Sequence, residues 1–192
     1  MLIISTQVVF AQNKGEQIIQ APLRDSVIFF VGEINANPSL SVDQLYQQVR
    51  HWAMTKMTAP PISSPILYEN PKEGLISARM VLNTIRYSAQ SSEYYLSAQG
   101  VVYFQVTPGI LKYTITDFYY NLEDITKISK YLSEGDSKKL LLRATSEELG
   151  KVIRKEYTHY LNEINSKVNI KLISLEKFIS KPITGGNTWQ DM

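Results

Sequence analysis

The sequence predicts an α+β domain in which two helices pack on a largely antiparallel sheet of about five strands. Three observations carry that expectation. Apolar stretches rich in β-branched and aromatic residues recur between short turn signals, too closely spaced for parallel crossovers. A segment opening at Ser41 has helical apolar periodicity together with start chemistry. A lysine-rich segment with the same periodicity follows in the last third. The chain has 192 residues, 44% of them apolar, and a formal charge of +2. It can therefore bury a core, is not dominated by disorder, and has too little positive excess to imply nucleic acid. The absence of cysteine excludes disulfides, thiol catalysis, cysteine-based zinc sites and a lipid-attachment cysteine.

Residues 1–12 contain an apolar run, Ile3 to Phe10, with no charge until Lys14. Spanning a bilayer takes about 20 apolar residues, so this run is too short. It reads as the hydrophobic part and cleavage end of a secretory signal, with Val9-Phe10-Ala11 at the cut. No Lys or Arg precedes it, which a start placed downstream of the true one would explain. The same run also fits a buried first strand. Residues 13–24 are polar and read as a linker.

A domain is expected over 25–124. Its first strand is Val27-Ile28-Phe29-Phe30-Val31, closed by Gly32, and Asn35 to Ser39 form a turn cluster. The helix then starts at Ser41, with Gln44 at capping-box spacing. Val42, Leu45, Tyr46, Val49, Trp52 and Ala53 make its apolar stripe, while Asp43, Gln47, Gln48 and Arg50 face away. Pro60-Pro61 stops it. A meander of four strands follows. Ile66-Leu67-Tyr68 leads through the turn Asn70 to Gly74 into Leu75–Tyr87, where Ile76, Ala78, Met80 and Leu82 share one face. That alternation slips after Asn83, which places a bulge or strand end there. Ser88 to Ser92 read as a polar loop. Val101–Val106 and Leu111–Thr116 flank Thr107-Pro108-Gly109-Ile110, a hairpin signal.

Composition changes near residue 125: residues 1–124 carry 8 basic and 10 acidic side chains, residues 125–192 carry 12 and 8. Gly135-Asp136-Ser137 read as a loop. Thr145, with Glu148 at capping-box spacing, is expected to open the second helix. Leu149, Val152, Ile153, Tyr157, Tyr160, Leu161 and Ile164 form its stripe, and Val168, Leu172, Leu175 and Ile179 continue it. One long helix within 125–180 is favoured, with room for a break near Asn165. A strand over 166–180 stays open as the alternative. Residues 181–192 read as a flexible tail.

The segments Val27 to Gly32, Leu45-Tyr46 to Trp52, and Lys112-Tyr113-Thr114-Ile115-Thr116-Asp117-Phe118 resemble an exported bacterial domain-of-unknown-function family. That family is described as having a TBP-like (TATA-binding-protein-like) fold. The resemblance covers about 25 to 122, plus the lysine-rich helix and Trp189. It implies a strand-helix-meander with an antiparallel sheet and export from a Gram-negative bacterium. No activity comes with it, and the fold name does not license DNA binding.

No nucleophile elbow, phosphate-binding loop or zinc-protease signature is present. Glu156, His159 and Glu163 have helical spacing but no second such set, so no metal or other cofactor is expected. Glu69 and Glu73 flank a turn and read as exposed acids. The aromatics point instead to a surface. With strict alternation, Phe104, Val106, Leu111, Tyr113 and Ile115 face the helix. Arg79, Tyr103, Gln105, Lys112, Thr114, Thr116 and Phe118 line the open side, of which Arg79, Tyr103, Gln105, Lys112, Thr114 and Phe118 are the candidate binding face. The expected function is a non-enzymatic binding or interaction domain of the periplasm or cell envelope, contacting a protein, peptide or glycan, without nucleic acid and without stable membrane insertion. The competing reading is an envelope-acting hydrolase using His51 and a carboxylate.

Overall fold

The computed structural model describes residues 18–57, 64–89, 92–123 and 135–181. The leader-like run 1–12, Pro60-Pro61 and the tail from Pro182, Trp189 included, lie outside them. The described chain is an α+β fold: one long antiparallel sheet with three helices packed on it.

The first strand departs from expectation. β1 (Leu23–Arg24) and β2 (Val27–Ile28) form a small hairpin whose two turn residues have positive φ, 51° at Asp25 and 66° at Ser26. Positive φ at both positions is the primed turn that matches strand twist, made here without the usual glycine. Val27–Val31 is therefore not one strand. Val27 and Ile28 belong to the hairpin, and β3 (Phe30–Asn35) starts afresh and runs into the expected turn cluster. Gly32 does not close a strand. It pairs with Tyr113, and a Cβ at Gly32 would stand 2.5 Å from the Tyr113 hydroxyl, so the missing side chain makes room for the ring.

α1 (Val42–Lys56) starts as its sequence dictates. The Gln44 amide donates to Ser41 Oγ at 3.2 Å, and the Ser41 amide donates to Gln44 Oε1 at 2.9 Å. Leu45, Tyr46, Val49, Trp52 and Ala53 are buried as expected. Gln48 was expected to face away but is buried, while Val42 is 36% exposed. The buried arc is rotated and wider than one stripe because α1 touches both the sheet and the last helix. Ser41→Ala is expected to lower stability by about 1 kcal/mol through loss of the cap, read as a shifted midpoint in urea unfolding.

The meander forms as expected: β4 (Ile66–Asn70), β5 (Leu75–Ala89), β6 (Ser92–Thr107) and β7 (Ile110–Glu123), each antiparallel to the next. The slip expected after Asn83 is a register break between Leu82 and Ile85. The polar loop expected at Ser88–Ser92 is shorter, since pairing continues to Ala89 and Ser92. β3 pairs with β7 over Ile110–Ile115, giving the order β3-β7-β6-β5-β4. Further along the same edge of β7, Tyr119 and Tyr120 pair with β8 (Gly135–Asp136), which composition had marked as loop. Backbone pairing asks nothing of these side chains, so the composition carried no sign of it.

The second helical region also differs. α2 (Ser137–Thr145) ends where a helix was expected to begin, with the Thr145 hydroxyl donating back to the Leu141 carbonyl at 3.0 Å. α3 (Lys151–Ile179) follows a turn, with Gly150 as its N-cap and no side-chain capping bond. Arg154 occupies that corner instead, donating to the carbonyls of Leu149 at 2.9 Å and Ser146 at 3.4 Å. The guanidinium ties down the turn carbonyls, and the expected threonine–glutamate box does not form, because Thr145 ends α2 and α3 starts after Gly150. α3 is continuous through Asn165, so 166–179 is helix and not strand. At 29 residues it is about 43 Å long, a length comparable with the sheet's longest strands.

All three helices bury their apolar sides in one cluster with the inner face of the sheet. Ile76, Met80, Val102, Phe104, Leu111 and Ile115 share it with Trp52 of α1, Leu140 of α2, and Tyr157, Val168 and Ile179 of α3. Arg143 of α2 donates to the Tyr157 hydroxyl at 2.8 Å, with its guanidinium 5.7 Å from the ring centre. Burial pushes the Tyr157 phenol up to about 12, with Arg143 opposing the rise. Its folded value lies above the unfolded value of 10.0, so the stabilisation is complete below that pH. It is lost as pH climbs toward about 12, because the unfolded chain releases this proton first. Urea midpoints across that range should fall more steeply for wild type than for Tyr157→Phe. Part of the alkaline loss should persist, since burial raises Tyr46 and Tyr113 too.

Candidate functional site

Strand residues that alternate with the core set point to the opposite face, and the sheet register arranges them in rows. Val31, Thr114, Tyr103, Ser77 and Tyr68 stand in one row across all five long-path strands. Strands lie roughly 4.8 Å apart, so Tyr103 and Tyr68 flank Ser77 at a separation of roughly 10 Å. Val31 is 55% exposed, Tyr68 54% and Tyr103 46%, whereas Ser77 between the tyrosines is 7% exposed and forms the floor. The next row holds Glu33, Lys112, Gln105, Leu75 and Asn70. In it, Lys112 Nζ lies 3.5 Å from Glu33 Oε1. A third row holds Thr116, Val101 and Arg79.

Arg79, Tyr103, Gln105 and Lys112 are thus exposed on this outer face, and Thr114 is half-buried between them. Phe118 is not among them. Val101 pairs with Thr116 but Gln99 pairs with Tyr119, so Asp117 and Phe118 together oppose Gly100 alone. This bulge, with Asp117 at φ 53°, inverts the faces of β7 beyond it. Phe118 turns inward, 2% exposed, with its ring 5.9 Å from that of Phe30. Glycine at position 100 makes this fit, since a Cβ there would stand 2.9 Å from the Phe118 ring.

Val31, Glu33 and Tyr68 belong to the face but were not singled out from sequence. The signal was present: Val31, Glu33 and Asn35 alternate with Phe30 and Ile34 once the strand is allowed to run past Gly32. On the other side of the molecule, His51 lies at the α1–α3 seam, stacked on Phe178 with centroids 6.0 Å apart. The nearby carboxylate Glu69 is engaged by Arg50, whose Nε donates to it at 2.7 Å. Among the described residues no three His, Asp or Glu side chains gather so as to hold a metal ion. Nor is any described helix long and apolar enough to cross a membrane.

A long antiparallel sheet with all the described helices on one face is the architecture of a TBP-like domain. Residues 30–121, from the first residue of β3 into β7, match the family model of the domain of unknown function with TBP-like fold, DUF4468. The resemblance read from the sequence is borne out. The fold is shared with a crystal structure of a DUF4468 family protein from Bacteroides ovatus, at 14% identity and a TM-score of 0.57, covering 84% of this chain and 94% of that one. It is also shared with a TBP-like protein from Parabacteroides distasonis, at 9% identity and a TM-score of 0.56, covering 83% of this chain and 99% of that one. No curated protein matches the chain.

Proposed function

We propose that the chain is a non-enzymatic binding module of the periplasm or cell envelope that receives a partner protein or peptide on the outer face of its sheet. One observation carries this reading: the exposed row of Val31, Tyr103 and Tyr68 across a sheet face that no described helix covers. Apolar and tyrosine side chains in one row give contact area at low entropic cost, and tyrosine hydroxyls keep hydrogen-bonding capacity at the rim. Arg79 and Gln105 add donors beside the row, while Lys112 is partly neutralised by Glu33. The envelope location is supported by the leader-like run Ile3 to Ala11.

A photo-crosslinking amino acid placed at Gln105, in cells producing the chain, tests the reading. A discrete crosslinked product is expected there and not from the same probe at Glu147, and it should disappear in Tyr103→Ala. Equal labelling from both positions, or a product indifferent to Tyr103→Ala, would sink it. Release of the chain with the envelope fraction on cell fractionation tests the location, and recovery with the cytosol would refute it.

A further inference from the structure

We infer that the seam between α1 and α3 is a second docking surface, shaped for an acidic segment of a partner protein that inserts apolar side chains between lysines. The buried stripe of α3 runs through Ile164, Val168, Leu175 and Ile179, and it leaves two isoleucines outside: Ile170 is 63% exposed and Ile173 50%. They line a shallow groove of about 480 Å³ with Ser174, Lys177, Phe178 and Lys181. The ring of Phe178 stacks on His51 and so joins this groove to the α1 surface made by Gln47, Arg50 and Met54. The surface differs from the sheet face in position and in chemistry.

Charge selects the occupant. Among the described residues lining the groove, none is a carboxylate. Lys177, in the last turn of α3, and Lys181, just past its end, flank the groove, while Lys167 and Lys171 stand one helical turn apart, with the Lys171 ammonium donating to the Lys56 carbonyl at the end of α1. Like charges one turn apart on a helix repel each other. Burial and the neighbouring Lys56 and Lys167 lower the pKa of Lys171, as expected for crowded cations. Glu176, beside Lys177 in sequence, is not among the residues that line the groove. A bound carboxylate-bearing segment would relieve this crowding, while its apolar residues covered Ile170 and Ile173. Three apolar side chains set among lysines on one face of α3, beside α1, suit one peptide segment better than a bilayer, which wants a broad protruding apolar face.

The test titrates the isotope-labelled chain with a synthetic amphipathic peptide of alternating leucine and glutamate clusters. Its lysine-for-glutamate twin and phosphatidylglycerol vesicles form the other arms. Saturable shifts of the Ile170 and Ile173 methyls with the acidic peptide alone are expected. Ile173→Asp and the double variant Lys177→Glu/Lys181→Glu should each weaken it by about tenfold, the effect of losing a buried anchor. Tyr103→Ala should leave it unchanged, which separates this surface from the sheet face. These side chains are exposed, and an unchanged amide spectrum verifies the fold of each variant. Equal binding of the basic twin, shifts elsewhere than the seam, no saturable binding, or binding only to vesicles would each overturn the inference.

Discussion

Trp52→Ala is expected to destabilise the chain by about 3–5 kcal/mol, the usual cost of removing a fully buried large aromatic. Trp52 is 1% exposed, its ring meets Phe104 of β6 edge-on at 6.4 Å, and its indole N–H donates to Ser174 of α3 at 3.4 Å. One side chain therefore joins α1, the sheet and the last helix. Its removal opens a void that none of the three can fill alone, because each is fixed by its own backbone hydrogen bonds. Urea unfolding by circular dichroism measures the loss. Ser174→Ala, which removes only the indole's partner, should cost far less. Comparable losses in the two variants would mean that the hydrogen bond, not the packing, matters most.

The second large effect distinguishes the two faces of the sheet. Phe118→Ala should cost about 3–5 kcal/mol, because the bulge at Asp117 delivers this ring to the core. Tyr103→Ala, on the open face, should stay within about 0.5 kcal/mol of wild type. Strict alternation would put both residues on the same face and forecast similar, small effects. The pair of midpoints therefore reads the position of the bulge directly. A small loss at Phe118 would mean that β7 keeps one register along its whole length.

What the sequence revealed, and what it hid, follows from how locally each feature is encoded. The start of α1 was legible because Ser41 and Gln44 carry their own hydrogen-bond chemistry. The hairpin at Pro108-Gly109 was legible for the same reason, and the slip in β5 because alternation itself fails there. Phe118 was misplaced because nothing in Thr116-Asp117-Phe118 announces a left-handed aspartate, and one extra residue inverts every face after it. The hairpin at Asp25-Ser26 was missed because its turn lacks the glycine that normally marks it. Thr145 and Glu148 had the spacing of a helix start, but Arg154, a residue on the next helix, settles that corner. Of the candidate face, Arg79, Tyr103, Gln105, Lys112 and Thr114 were found from alternation alone. Val31 and Tyr68 entered only with the pairing of distant strands, which no local pattern specifies.

The closing contact of the fold is long-range. The Asn37 amide donates to the Ile179 carbonyl at 3.1 Å, and Asn162 binds the backbone of Ile18 and Gln20 near the other extremity of the described chain. Synthesis proceeds in one direction, so the helix-facing side of the sheet emerges before α2 and α3, which must cover much of it. Nascent chains will therefore pass through a stage with an oily sheet that only α1 covers. For this protein, chaperone demand during synthesis should exceed what the stability of the finished molecule would suggest.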